Sequence, residues 1–492
     1  MNALLIYPKF PDTFWSFTYA LRFIGKKSAF PPLGLLTVAA LLPSDWNKRL
    51  VDENVDGLSD SDLLWADLVF IGGMAVQRKS AKQIIDRCTA MNLKIVAGGP
   101  LFTAEPDEFA EVDHLVLDEA ELTLPAFLSD LQKGQPEKVY RASGFCNLWD
   151  TPLPSWDLIK TKRYASMSIQ FSRGCPFNCE FCNVTALFGH RPRIKTAQQV
   201  IAELDRIYAS GWRSSIFFVD DNFIGNKAYL KTHLLPALIE WRKGKKGCVF
   251  FTEASINLAD DPELLDLMTK AGFDTVFIGI ESPDEVSLTE CGKTQNKNRD
   301  LLESIKIIHR SGMQVMGGFI VGFDSDSPSI FQRQIDFIQN SGIVAAMVGM
   351  LQAPPGTRLF DRLSKESRVV KTFSGDNVDG TTNIIPKMGI ETLLDGYKAI
   401  MKQVYSPGNY YRRVRVLLKE LKAPEIKQPV NLGRFLSFFR SAFRIGILGE
   451  ERFHYWQLML WTLIRKPRLM SVAITLSIYG HHYRKICERY IY

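Results

Sequence analysis

The chain of 492 residues has no run of 18 or more apolar residues, so its sequence predicts no membrane-spanning helix. No basic leader precedes the apolar opening from Ala3 to Tyr7 and no small-residue cleavage site follows it; the segment reads as a buried first strand, not an export signal. Cysteine is sparse. Of the 8, Cys88, Cys146, Cys248, Cys291 and Cys487 stand singly, which excludes a disulfide framework and suits a reducing, cytoplasmic setting. Histidine is rarer still, with 7 in all, and His114 is the only one before His190. Internal repeats and low-complexity tracts are missing too. What remains is 46% apolar and 23% charged, the composition of a folded protein long enough for two or three domains.

Negative charge is scarce at one end. Residues 401–492 carry 17 Lys/Arg against 5 Asp/Glu, a net of about +12, whereas the whole chain is only +7. In this tail Phe435, Phe438, Phe439, Phe443, Trp456 and Trp461 are set among Arg440, Arg444, Arg452, Arg465, Lys466 and Arg468. Three accounts fit: peripheral contact with an anionic membrane surface, a helical cap with solvated charges, or RNA. Nucleic acid is the least favoured of these, and is not expected as a partner.

Residues 1–145 alternate short apolar runs (3–7, 68–71, 94–97, 114–117) with helical stretches at 34–42 and 80–91. That alternation predicts a doubly wound, Rossmann-like α/β domain with a parallel sheet, whose ligands bind at the carboxyl ends of the strands. Tyr7, Pro32, Gly34, Gly72, Gly73, Gly98 and Gly99 fall in the loops at those ends. Residues 146–165, with Pro152, Pro154 and Trp156, read as a linker. Strand-like runs at 168–172, 215–219, 248–252, 275–280, 314–321 and 345–351 alternate with helices at 197–209, 262–271 and 298–311. Six such units over 166–365 predict a partial (β/α)6 barrel with its site at the C-terminal strand ends. Residues 366–492 read as mainly helical, with loops at 406–408 and 422–429.

The first barrel strand runs into Cys175-Pro176-Phe177-Asn178-Cys179-Glu180-Phe181-Cys182. This C-x3-C-x2-C spacing puts three thiols on one tight loop. Cubane iron–sulfur clusters normally take four cysteines, so three leave one iron open to a ligand. Phe181 stands where it could keep water from the cluster. The alternative is a structural zinc loop with His190 as fourth ligand, although the second cysteine pair usual for such loops is missing.

The loop resembles the defining motif of the radical S-adenosylmethionine (SAM) superfamily, with its aromatic before the third cysteine. The resemblance implies a [4Fe–4S] cluster on Cys175, Cys179 and Cys182, with SAM bound at the open iron and cleaved to a 5′-deoxyadenosyl radical. Further matches follow in order. Asp220 and Asp221 stand where the family contacts the methionine amino group, Glu253 and Ser255 where ribose is held, and Gly279 and Glu281 at the fourth strand's end. Gly318, Ile320 and Gly322 fit its G-x-I-x-G adenine-side motif. Packing of buried strands would also account for the glycines.

Pro31-Pro32-Leu33-Gly34, Gly98-Gly99-Pro100 and Asp118-Glu119-Ala120-Glu121 are similar to the cobalamin-binding domain that precedes the barrel in one radical SAM class. The D-x-H-x-x-G motif that supplies histidine to cobalt is absent, which implies cobalamin bound without histidine or no cobalamin at all. RNA methylthiotransferases are a poor match, because they need three further cysteines ahead of the barrel and only Cys88 and Cys146 occur there. The tail resembles the extension of the hopanoid C2-methylase branch. Together these imply methylation of an unactivated carbon on a small-molecule or lipid substrate, with a reductant such as flavodoxin or ferredoxin. The alternatives are radical ring formation without methyl transfer and, outside catalysis, a metal- or cobalamin-responsive binding protein.

Overall fold

The computed structural model describes residues 1–376, 379–424, 426 and 432–492. Its front sheet contains β1 (Asn2–Tyr7), β2 (Asn47–Asp52), β3 (Leu68–Gly72), β4 (Lys94–Gly98), β5 (His114–Val116) and β6 (Val139–Tyr140), all parallel, in the order β2-β1-β3-β4-β5-β6. Successive side chains of a strand point to opposite faces, and each face has its own core. Leu4, Ile6, Val69 and Ile71 pack against Ile84 and Ile85 on one side, and Leu5, Phe70 and Val96 meet Phe127 on the other. The order reverses between β1 and β3, the switch point where such sheets open a crevice. Neither β2 nor β6 is among the expected strands. The first opens on Asn47, Lys48 and Arg49, and the second is two residues long; both lie at the sheet's edges, where polar or short strands are tolerated.

The second sheet runs β14 (Ala346–Met350), β13 (Gln314–Val321), β12 (Phe273–Glu281), β11 (Phe250–Ala254), β10 (Ile216–Phe218) and β7 (Met167–Ile169), again parallel and in strict sequence order. It is the six-stranded partial barrel that the alternation predicts. Burial along β13 alternates, so Gln314, Met316, Gly318 and Ile320 face the lumen while Val315, Phe319 and Val321 pack outward. Amphipathic helices such as Leu301–Ser311 cover the outside with Ile305 and Ile308. Between β7 and β10 an antiparallel hairpin, β8 (Ser172–Arg173) with β9 (Arg193–Ile194), carries the cysteine loop at its tip.

The tail contains the helices Ile390–Val404, Pro407–Glu420, Leu432–Arg444, Arg452–Arg465 and Met470–Tyr490. Of the loop expected at 406–408 only Ser406 lies outside a helix. Pro407 opens a helix, a position that suits proline because the first turn's N–H has no partner to lose. Glu425 and residues 427–429 of the other expected loop lie outside the described residues. Tyr410 donates its hydroxyl to the Leu476 carbonyl at 2.6 Å, and His482 Nε2 lies 3.0 Å from the Phe14 carbonyl, so the tail clasps the N-terminal segment. Among the described residues no helix is long and apolar enough to cross a membrane.

Side-chain links join the two halves. The buried Tyr164 hydroxyl, just ahead of β7, donates to Asp52 at the carboxyl end of β2 (2.9 Å). Arg78, beyond β3, donates to the Phe373 carbonyl at 3.1 Å, so the chain leaving the barrel reaches the front sheet.

Candidate functional site

Two carboxylates at the end of β10 fix the cysteine loop. Asp220 accepts the Phe171 N–H at 3.2 Å, the Ser172 N–H, and the Ser172 hydroxyl at 2.5 Å. Asp221 accepts the Gly174 N–H at 3.0 Å. Burial pushes the Asp220 carboxyl up to about 7 and that of Asp221 up to about 6. Gly174 has φ of 90°, and a Cβ there would lie 2.9 Å from the Gly189 carbonyl oxygen, so only glycine makes this turn without strain.

Weak N–H donors approach two of the thiols. Asn222 Nδ2 lies 3.9 Å from Cys175 Sγ, and Gln295 Nε2 lies 3.9 Å from Cys179 Sγ. Burial pushes the Cys182 thiol up to about 12 and raises that of Cys175. Lys293 donates to Glu281 at 2.7 Å. Burial opposes its charge, but Glu281 and the neighbouring cysteines hold the ammonium above the ordinary lysine value. Hydrogen-bond donors and a fixed cation suit sulfur ligands that carry negative charge once a metal centre is bound.

Among the described residues no three His, Cys, Asp or Glu side chains converge on a single ion. A cubane spreads its cysteines over separate irons, and three thiols on one loop, with N–H donors beside two of them, fit such a cluster. His190 is exposed.

The other expected residues gather on the same strand ends. Ser255 donates its N–H to Asn222 Oδ1 at 3.2 Å and its hydroxyl to Asn257 at 2.6 Å. Glu253 faces the lumen, where burial first and then Asp221 and Asp220 push its carboxyl up to about 8. Gly279 lies under the Glu281–Lys293 pair, since a Cβ would sit 2.2 Å from Glu281 Oε1. Gly318 backs onto the Phe277 ring, and the Gly322 N–H is held by Asp326 at 2.8 Å. Ile320 joins Phe181 and Phe323 in a small apolar cluster beside the loop.

In the front domain Tyr7, Gly72, Gly73, Gly98 and Gly99 lie at the carboxyl ends of β1, β3 and β4, around the switch point. Gly73 accepts the Leu101 N–H at 3.0 Å, and Gln77 bridges the Met74 N–H and the Pro8 carbonyl. Gly99 (φ of 89°) opens the short helix after β4. Pro32 caps the helix Leu33–Leu41, where Gly34 faces open space. Gly98 also serves packing, because a Cβ would meet the Val116 carbonyl at 2.4 Å. His114 starts β5 and is therefore at the opposite, amino end of the strands, with Nδ1 against the Glu137 carbonyl at 2.6 Å.

Glu119 and Glu121, just past β5, clasp the hairpin that carries the cysteines. Arg173 pairs with Glu119 at 2.9 Å and with Glu121 at 2.7 Å, and Arg193 pairs with Glu119 at 2.9 Å. All four side chains are largely buried. The acidic motif of the front domain therefore grips the cysteine hairpin directly.

The radical SAM superfamily model matches residues 169–338, and a domain of unknown function (DUF4070) matches 357–491. An uncharacterized methyltransferase of Synechocystis sp. is 41% identical, over 100% of this chain and 93% of its own length. A hopanoid C-2 methylase of Rhodopseudomonas palustris is 34% identical, over 98% of this chain and 92% of its own. The chain belongs to the radical SAM methyltransferases. Enzymes of this superfamily use SAM and a [4Fe–4S] cluster. The fold is shared with the cobalamin-dependent radical SAM enzyme OxsB (TM-score 0.65, 16% identity, 99% of this chain and 84% of that one). It is shared equally with the methyltransferase TsrM of Kitasatospora setae (TM-score 0.65, 14% identity, 99% and 100%).

Lys293, Gln295 and Arg193 are absent from the expected site, while Asn222 and Arg173 fall within its motif stretches without a role of their own. Asn222 adjoins two expected aspartates and was within reach of the motif. Lys293 and Gln295 lie in a loop with no motif, and only the fold carries that loop to the thiols.

Proposed function

We propose that this enzyme methylates an unactivated carbon of a hydrophobic, lipid-like substrate, of hopanoid type, with cobalamin as methyl carrier. The observation that carries the reading is the end-to-end similarity to a hopanoid C-2 methylase, joined to a three-thiol loop facing a doubly wound domain. On this reading the chain divides into 1–145, 146–165, 166–365 and 366–492.

In this reading Cys175, Cys179 and Cys182 hold the cluster. Asp220, Asp221, Glu253, Ser255, Gly279, Glu281, Gly318, Ile320 and Gly322 form the SAM side. Tyr7, Pro32, Gly34, Gly72, Gly73, Gly98 and Gly99 border the cobalamin, which takes no histidine from this domain because His114 is at the amino ends of the strands, away from those loops. When bound, these groups supply a carbon-centred oxidant for hydrogen removal and a methyl donor. The chain's own part is placement and exclusion. Asp220 and Asp221 fix the loop, and Lys293 sets a positive charge beside the thiols. The Glu119–Arg173–Arg193 clasp holds the front domain against the barrel and keeps water from the space between.

The enzyme works in the cytoplasm, at the inner face of the membrane, reduced by flavodoxin or ferredoxin. The test is incubation of anaerobically reconstituted protein with lipid extract and methyl-deuterated SAM. Deuterium should appear in a lipid product by mass spectrometry. Reductive SAM cleavage that leaves every lipid unlabelled would overturn the proposal.

A further inference from the structure

A cavity of about 1630 Å³ opens beneath the barrel, at the strand ends opposite the cysteine loop. That exceeds the roughly 300–1,000 Å³ of ordinary small-molecule sites. Its inner end is the lumen itself. Phe217 and Phe251 stack there at 4.7 Å with an interplanar angle of 3°, Phe30 leans on both, and Trp15 meets Phe277 at 5.2 Å. Of the strand residues lining it, Asp274 stands at the outer end of β12 and Glu253 at the inner end of β11; between them Phe217, Phe251 and Phe277 alternate with Thr275, Gln314, Val315 and Met316. The outer wall comes from the tail, through Phe435, Phe438, Met470, Val472 and Ile474, and the exposed Ile24 and Arg468 line it as well.

Two helices of the tail carry apolar residues on exposed faces, and Phe435 of one of them also lines the cavity. On Arg452–Arg465 the exposed set is Phe453, Trp456, Leu460, Leu463 and Ile464, at helical spacing, while Tyr455, Leu458, Met459 and Thr462 are buried on the other face. On Leu432–Arg444 the exposed set is Phe435, Leu436, Phe439 and Phe443. Phe453 is 74% exposed and Ile464 68%. Soluble surfaces rarely show apolar residues in such continuous stripes. Exposed Arg444, Arg452, Arg465 and Arg468 stand among them. Over 432–470 the only acids are Glu450 and Glu451, and Glu451 is buried against Arg484 and His481. Apolar stripes bordered by arginine match a bilayer with anionic headgroups in both hydrophobicity and charge.

We propose that this cavity is the substrate channel, entered from an anionic bilayer on which the two outward helix stripes lie, and that it takes an elongated, mostly apolar polycyclic lipid. The inference rests on the lipid-substrate reading above and adds the route. Substrate enters at the amino ends of the strands, slides between the aromatic rings, and presents its far end near Glu253, below the cysteine loop. The front-domain crevice stays free for its own ligand.

The test uses the full-length protein and two probes. Flotation with phosphatidylcholine vesicles, with and without phosphatidylglycerol, reads the surface. Energy transfer from Trp15 and Trp212, which line the cavity, to the fluorescent tetracyclic sterol dehydroergosterol reads the channel. Wild type should float only with phosphatidylglycerol and load sterol saturably. Thr275→Phe/Met316→Phe, which fills the lumen, should weaken loading at least about tenfold, equivalent to about 1.4 kcal/mol, and leave flotation unchanged. Ser471→Tyr, at an exposed lining position, perturbs no core and should slow loading at least about twofold. Arg452→Glu/Arg465→Glu should lose flotation and keep sterol loading in solution. Loading that ignores both channel variants, or wild type that does not float, overturns the channel proposal. Intact loading without methyl transfer would overturn the methylation reading alone.

Discussion

Glu119→Gln tests the clasp between the front domain and the cysteine hairpin. The Glu119 side chain is 2% exposed, and its carboxylate meets Arg173 and Arg193, each at 2.9 Å, and accepts the Cys146 N–H at 2.7 Å. Removing its charge leaves two largely buried guanidiniums with Glu121 as the only acid in contact with either, among the described residues. Breaking a buried pair in this way costs about 3–5 kcal/mol, because the remaining charge is stranded away from water. With a urea slope of about 3 kcal/mol per molar, the unfolding midpoint should fall by about 1 M or more. The same arginines flank the base of the cysteine loop, so iron retained after anaerobic reconstitution should fall with it. Denaturation followed by intrinsic fluorescence, with iron measured on the same samples, checks both. A midpoint within about 0.2 M of wild type, with full iron content, would refute the clasp.

Other outcomes follow from the same geometry. Gly174→Ala forces a Cβ against the Gly189 carbonyl at positive φ, and should cost at least about 1 kcal/mol and reduce bound iron, measured by the cluster's visible absorbance. Burial opposes the charge of Glu451, but His481 and Arg484 hold its carboxyl down to about 2. Its contribution is therefore present above the unfolded value near 4.3 and is lost as pH falls toward about 2. Glu451→Gln should destabilise the tail by about 3 kcal/mol at neutral pH, and the gap to wild type should narrow in acid denaturation below about pH 4. His114→Ala should leave the spectrum of bound hydroxocobalamin unchanged, and a shift would place that histidine on cobalt.

Both sheets were legible because their inner strands are continuous apolar runs bounded by turn residues. The cysteine loop was legible because its spacing is local. Asp220 and Asp221 were placed at the site, yet the structure also shows them accepting hydrogen bonds from the loop's backbone, which no spacing reveals. Pro407 looked like a breaker; because it stands at the first turn of a helix it starts one. Lys293 and Gln295 reach the thiols only because β12 and the loop beyond it fold back over them, a contact between residues more than a hundred positions apart. The tail's charge was visible from composition alone. The division between a buried cap face and an outward apolar face was not, because these helices are hydrophobic on both sides.

The most direct test of the account is reductive SAM cleavage by the anaerobically reconstituted chain, compared with its Cys175→Ala/Cys179→Ala/Cys182→Ala variant. Wild type should bind about four irons and release 5′-deoxyadenosine under reduction, and the variant should do neither. Deoxyadenosine formation by the triple variant would contradict the assignment of the cluster to this loop.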